Sequence, residues 1–317
     1  MKKILVTGAL GQIGSELVEK LRETYGTANV IATDIRANDA ALAKAKGPFE
    51  LVDVMDEAGI FSIAKNYQVD TIIHLASLLS AKAEITPRLA WNVNMGGLIN
   101  ALQVARVLDL QFFTPSSIGA FGPSTPKYHT PQDTLQRPTT MYGLSKVAGE
   151  LLCDYYFKRY GVDSRGLRFP GLISYAAPPG GGTTDYAVDI YYGAVKEQAY
   201  TSYIAEGTAM DMMYMPDALN AIITLMEANP EKLMHRNAYN VSAFSAGPED
   251  FAAMIRKYIP TFTLNFEVDP IRQNIAESWP NAIDSSAAVN EWGFKSKYDL
   301  AKTTKEMLEK ISVKLGM

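Results

Sequence analysis

The stretch Thr7 to Gly14, reading TGALGQIG, constrains this chain more than any other. The short apolar run before it, Ile4-Leu5-Val6, has the composition of a buried parallel strand. After it, Leu17, Val18 and Leu21 recur at helical spacing. A strand that turns through glycines into a helix leaves backbone N–H groups free at a helix N-terminus. It also lets a phosphate approach where no Cβ intervenes. A glycine pattern by itself equally fits an ordinary strand-to-helix turn, so the surroundings decide.

The surroundings carry the rest of a dinucleotide-binding unit. Val30-Ile31-Ala32-Thr33 reads as the next strand and ends on Asp34, about twenty positions beyond Gly14, where such a unit needs an acid for the ribose hydroxyls. Strands are predicted at 3–7, 29–34, 49–52, 71–75, 111–114 and 162–168. Helices are predicted between them at 13–24, 56–66, about 88–108 and about 140–160. This alternation specifies an α/β fold with a Rossmann-type, doubly wound parallel sheet. Beyond Arg168 the texture changes. Pro178 to Gly182 can be neither helix nor central strand, and the glycines predict hinge freedom of the kind a gate over a site uses. Thr183-Thr184-Asp185 offers capping side chains to a helix through Tyr192, and the remaining helices are predicted at 216–227, 249–259 and 299–313. The expected organisation is a dinucleotide-binding domain over 1–170, with segments returning from the C-terminal part, and a smaller substrate-binding lobe over 171–317.

Composition excludes several classes of partner. Of 317 residues 47% are hydrophobic and 20% charged, and the net charge is −4, which suits a soluble globular protein and not a nucleic-acid or anionic-membrane surface. Cys153 stands alone, so no intrachain disulfide is available and a reducing cytoplasm is the expected setting. His74, His129 and His235 are too scattered for a metal-ligand motif, and no metal is expected. No stretch approaches the length of a membrane span, and the apolar run at the start is too short for a signal peptide.

Two further elements bear chemistry. Tyr142 and Lys146 lie four apart on a predicted helix and so share a face. An ammonium beside a phenol stabilises the phenolate, and the pair can then accept a proton from an alcohol. Ser116 and Ser117 follow the strand at 111–114, at the carboxyl edge where open α/β sheets bind ligands. One hydroxyl there could hold a reacting oxygen while the other satisfies the turn.

With these elements in order, the chain resembles the extended branch of the short-chain dehydrogenase/reductase superfamily along essentially its whole length. Thr7, Gly8, Gly11 and Gly14 match that family's TGxxGxxG, Tyr142 and Lys146 its YxxxK, and Ser117 the serine element that Phe121-Gly122 closes. The resemblance implies NAD as cofactor and Tyr142, Lys146 and Ser117 as the catalytic set. It implies cofactor contacts at Gly8, Gly11, Gln12, Ile13, Gly14, Asp34, Arg36, Asp53, Val54, Leu75, Ala76 and Ser77, and at Pro170 and Leu172 beside the nicotinamide. Asn94 is implied as a polar residue that bends a helix behind the site. The carboxylate of Asp34 repels a 2′-phosphate, so NAD is expected over NADP, and Arg36 is ranked below it.

Within the branch, five runs resemble the short-chain type of L-threonine 3-dehydrogenases. They are Leu78-Leu79-Ser80-Ala81, Phe169-Pro170-Gly171-Leu172-Ile173, Gly180 to Ile190, Met213-Tyr214-Met215 and Ser278-Trp279-Pro280. Nucleotide-sugar epimerases of the branch carry an Asn after the sixth strand, and Arg168 to Ser174 contains none. This resemblance implies L-threonine as substrate, oxidised at its β-hydroxyl to 2-amino-3-oxobutanoate. Ser80, Ser117, Tyr142, Thr183, Thr184 and Asp185 are the implied substrate contacts, although Thr183 and Asp185 equally suit plain capping of their helix. A nucleotide-sugar epimerase or dehydratase and a non-catalytic NAD-sensing protein remain the alternatives. The resemblance further implies a homodimer formed through the helices at about 88–108 and 140–160.

Overall fold

The computed structural model describes residues 1–36, 47–176 and 180–317. Six strands, β1 (Ile4–Thr7), β2 (Val30–Asp34), β3 (Phe49–Leu51), β4 (Thr71–His74), β5 (Gln111–Ser117) and β6 (Ser164–Phe169), build the main sheet. The chain then adds β7 (Gly171–Ile173), β8 (Ala199–Ser202), β9 (Met210–Tyr214), β10 (Tyr239–Asn240), β11 (Phe244–Ala246) and β12 (Thr263–Phe266). The main sheet is parallel throughout, in the order β10-β6-β5-β4-β1-β2-β3, so a segment from the C-terminal part returns to its edge. The chain order reverses at β1 and β4, which opens a crevice at the carboxyl ends of those strands.

Helices α1 (Gln12–Tyr25), α2 (Glu57–Tyr67), α3 (Ser80–Ile85), α4 (Pro87–Trp91), α5 (Gly97–Leu108) and α6 (Met141–Tyr160) alternate with these strands. Side chains on a strand point alternately to its two faces, and the burial pattern follows. Ile4, Val6, Ile73 and Phe113 pack with Leu17 and Leu21 of α1 on one face. Their neighbours Leu5, Ile72 and Phe112 pack with Leu102 of α5 and Cys153 of α6 on the other. Because both faces are covered, these strands read as unbroken apolar runs.

Later helices are α7 (Tyr186–Glu197), α8 (Met215–Glu227), α9 (Pro248–Ile255), α10 (Pro270–Ser278), α11 (Ser286–Trp292) and α12 (Leu300–Leu315). Helix α8 joins α1 in the first core, through Ala218, Ile222 and Leu225. A separate core gathers Tyr186 and Tyr191 of α7, Phe251 of α9, Trp279 and Met307. No helix among the described residues is long and apolar enough to cross a membrane.

The structure departs from the sequence expectations in several places, the first being strands β7 to β12 beyond residue 168, where the sequence pattern predicts none. Strand β5 does not stop at Thr114 but continues through Pro115, Ser116 and Ser117. Beyond Phe113 it has only β6 beside it, so Pro115 can sit there as at a sheet edge. The helix expected over 88–108 is α4 and α5 joined through a π-helical turn, Asn92–Gly96, centred on Asn94. Helix α9 ends at Ile255, short of 259. Helices α10 and α11 were not anticipated: each is short, and α10 takes its start from the Asp269 cap and Pro270, not from an apolar stripe.

Candidate active site

The phosphate turn between β1 and α1 is shaped by its glycines. Gly8 has φ 69°, and a Cβ on it would lie 2.7 Å from the Ala76 backbone nitrogen. A Cβ on Gly14 would strike the Gly8 carbonyl oxygen. Helix α1 therefore begins tight against β1, with Gly11 as its N-cap, no side chain capping it and no acid in its first turn. Its first N–H groups, those of Gln12, Ile13 and Gly14, lack intrahelical acceptors. The Gln12 side-chain nitrogen is also buried without a partner. Donors left open at a helix N-terminus fit a pyrophosphate.

At the end of β2, Asp34 is almost fully buried. One carboxylate oxygen accepts from Leu10 N at 3.1 Å, and the other from Arg36 N and Nε, both at 3.1 Å. Arg36 is largely exposed and paired to the acid, not free for a phosphate. Asp53 is exposed and accepts from Met55 N at 2.9 Å, while Val54 is buried against Gly97. These four residues follow β2 and β3, while Leu75, Ala76 and Ser77 follow β4 on the other side of β1, so the row runs along the carboxyl ends of the strands. Such an extended, acid-ended cradle fits NAD. Pro170 links β6 to β7, Leu172 lies on β7, and Thr184 adjoins Gly171.

A phenol and an ammonium are brought together where α6 docks on the end of β5. Thr140 caps α6, its hydroxyl accepting from Gly143 N at 3.0 Å. Tyr142 and Lys146 follow on one face, with Lys146 Nζ 5.3 Å from the Tyr142 ring centroid. Lys146 Nζ donates to the Pro115 carbonyl at 2.8 Å. Burial pushes the Tyr142 phenol up to about 12, and the nearby Ser117 side chain, whose Oγ accepts from Gly119 N at 3.1 Å, opposes this and favours the phenolate. Burial also pulls Lys146 down to about 8, against the opposing charge of Glu150. The two serines divide: Ser117 turns to Tyr142, and Ser116 donates to Glu150. Behind them lies a small cavity of about 30 Å³ with His74, Ser116, Lys146, Glu150 and Cys153 in its wall.

Asn94 sits in the π turn and is nearly buried. Its side-chain oxygen accepts from Leu78 N at 2.7 Å, and its nitrogen donates to Leu78 O and Ser145 Oγ, both at 3.2 Å. It thereby ties the loop after β4 to α6. That loop leads into Leu79 and Ser80, and Leu78 and Leu79 pack with Ala83 around Tyr142. Ser80 Oγ lies 3.5 Å from Thr183 Oγ1, both residues being buried.

The segment around Thr183 differs from expectation in one respect. Thr183–Asp185 is a short 3-10 turn whose N-cap is Gly182, so neither threonine side chain caps it. Asp185 does the capping, its carboxylate accepting from Gly181 N at 2.8 Å and Gly182 N at 2.7 Å. Burial raises its pKa. The glycine run is thus tied to Asp185, with Gly181 at φ 95°, and Pro178 and Pro179 lie outside the described residues.

Two residues near this site were not singled out from sequence for any role in it. Glu150 stands four positions after Lys146 and so was visible at helical spacing. His74, noticed only as a poor metal ligand, ends β4 with Nδ1 2.9 Å from Thr7 Oγ1.

Residues 4–242 match the NAD dependent epimerase/dehydratase family. A curated relative, an uncharacterized epimerase/dehydratase of Staphylococcus aureus (strain USA300), is 62% identical over 314 residues, 99% of this chain and 98% of that protein. Among solved structures, an L-threonine dehydrogenase from Clostridium difficile is 65% identical, with TM-score 0.97 over 99% of this chain and 98% of that one. A monomeric L-threonine 3-dehydrogenase from a metagenome is 41% identical, with TM-score 0.93 over 99% and 100% of the two chains. The chain belongs to the NAD dependent epimerase/dehydratase family, with NAD as its cofactor.

Proposed function

We propose that this protein oxidises the β-hydroxyl of L-threonine to 2-amino-3-oxobutanoate with NAD. The observation that carries the reading is the meeting of Ser80 with Thr183 beside the Tyr142 cluster, since a small polar substrate needs convergent hydroxyls close to the proton acceptor. The similarity to L-threonine dehydrogenases from Clostridium difficile and a metagenome supports the same substrate. In this reading residues 1–170 hold the cofactor and 171–317 form the substrate lobe.

Bound NAD would supply the hydride acceptor for the alcohol carbon. Tyr142 takes the hydroxyl proton, and Ser117 holds the same oxygen as it becomes a carbonyl. The Lys146 ammonium, 5.3 Å from the Tyr142 ring centroid, favours the phenolate that burial opposes. Ser80, Thr183 and Thr184 orient the amino acid, and Asp185, spent on its own loop, contributes chiefly by shaping that turn. Gly8, Gly11, Gln12, Ile13, Gly14, Asp34, Arg36, Asp53, Val54, Leu75, Ala76, Ser77, Asn94, Pro170 and Leu172 form the cofactor's side of the site.

The test is purified protein with NAD and L-threonine, followed by NADH absorbance, with a UDP-sugar in parallel. Tyr142→Phe is expected to lower turnover by at least about a hundredfold while leaving NAD affinity nearly unchanged. Full activity in that variant removes Tyr142 as the base, and an epimerised sugar without NADH replaces the threonine reading. We also infer a cytoplasmic protein and a homodimer through α5 and α6, which expose Ile99, Val107, Leu144, Leu151 and Tyr155. Because the metagenomic neighbour is monomeric, light scattering on the purified protein decides the assembly.

A further inference from the structure

We infer that Glu150 is a positioning residue for the proton-transfer pair: its carboxylate fixes Ser116, and with it the neighbouring Ser117, while its negative charge keeps Lys146 an ammonium. The inference rests on the catalytic reading above.

Tyr142, Lys146 and Glu150 occupy successive turns of α6 on one face. Lys146 donates to the carbonyl of Pro115, and Glu150 accepts the hydroxyl of Ser116. Two side chains of one helix therefore grip consecutive residues of β5, immediately before Ser117, which lies near Tyr142. The Glu150 carboxylate is only 6% exposed. It also accepts from Arg168 Nε at 3.0 Å, Arg168 Nη2 at 2.8 Å and Gln136 Nε2 at 2.8 Å. A buried ion pair brings a fold little net stability, so the worth of this one lies in what else the carboxylate touches.

The charges around Lys146 are few. On its own helix it faces Tyr142, Glu150 and Cys153; from β4 it faces His74; from β6, Arg168 is already paired to Glu150. Burial holds the Cys153 thiol in its neutral form and pulls His74 down to about 3, so it too is neutral. Among the described residues lining this cavity, Glu150 is the one anion. Without it, an ammonium already pulled down to about 8 loses its support.

The experiment reads Lys146 directly, through the pH titration of lysine carbons in selectively ¹³C-labelled protein, with Lys146→Arg to assign the signal. In E150Q the Lys146 midpoint is expected to fall by about one pH unit, a tenfold change in the ionisation constant. The alkaline limb of kcat/KM with L-threonine follows it. In S116A the midpoint stays in place and kcat falls several-fold. An unchanged midpoint in E150Q overturns the charge role, even if activity is lost, and an unchanged kcat in S116A overturns the positioning role. Should E150Q fail to fold with Arg168 left unpaired, E150Q/R168Q keeps the downward direction with a smaller shift, because a cation beside Glu150 is removed with it. Failure of the wild type to oxidise threonine would retire the catalytic reading, while the titration would still decide what Glu150 does to Lys146.

Discussion

His74 makes the stability of this protein depend on pH in a way the structure quantifies. Its ring is buried at the end of β4, with Nδ1 bonded to Thr7 and no partner for Nε2. Burial, and then the charge of Lys146, lowers its pKa to about 3. The unfolded chain takes up a proton on this histidine near pH 6.5, and the folded one does not. Above about pH 6.5 neither state holds the proton and the contribution is flat. Below it only the unfolded chain is protonated, so stability falls by about 1.4 kcal/mol per pH unit, down to about pH 3. Between about pH 7 and pH 4.5 the loss from this residue is roughly 2 to 3 kcal/mol, a large share of a typical domain's stability. Urea unfolding of the wild type and His74→Asn at those two pH values measures it, since Asn keeps a hydrogen-bonding group that does not titrate. The wild type should lose roughly 2 to 3 kcal/mol more than the variant on acidification. Equal losses would refute the buried, neutral state of His74.

Two other perturbations have defined outcomes. Asp211 is buried and raised to about 6, so its ionisation disfavours the fold; its own contribution should gain up to about 3 kcal/mol as pH drops from about 6 to 4, offsetting the His74 loss, and Asp211→Asn should therefore lose that much more stability than the wild type over this range in the same unfolding measurement. Asp34→Asn removes the acid at the end of β2, and should weaken NAD binding about tenfold or more while narrowing its preference over NADP, read by calorimetric titration of both cofactors.

The legible parts of this protein were those fixed by near neighbours in sequence. The β1–α1 turn could be read because Gly8 and Gly14 answer to steric demands a few residues away. Tyr142 and Lys146 could be read because helical periodicity alone puts them on one face. Helices α10 and α11 were not legible, since each is short and held by packing more than by its own pattern. The extent of β5 was missed because Pro115 argues for a strand end, and only the absence of a second neighbouring strand beyond Phe113 makes it acceptable.

By itself, the sequence determined the class of fold, the glycine turn after β1, the acid at Asp34 and the pairing of Tyr142 with Lys146 on one helix face, because each follows from spacing within one element or one turn. Tertiary structure alone decided the division between the serines. Adjacent strand residues face opposite ways, and it is the docking of α6 that gives Ser116 to Glu150, while Ser117 turns the other way and accepts from Gly119 N near Tyr142. It also decided that Ser80 meets Thr183 across 103 residues, and that His74, Tyr142 and Lys146 all have shifted pKa values. Contacts at that separation and the loss of water around a charge are properties of the packed chain, and no local pattern encodes them.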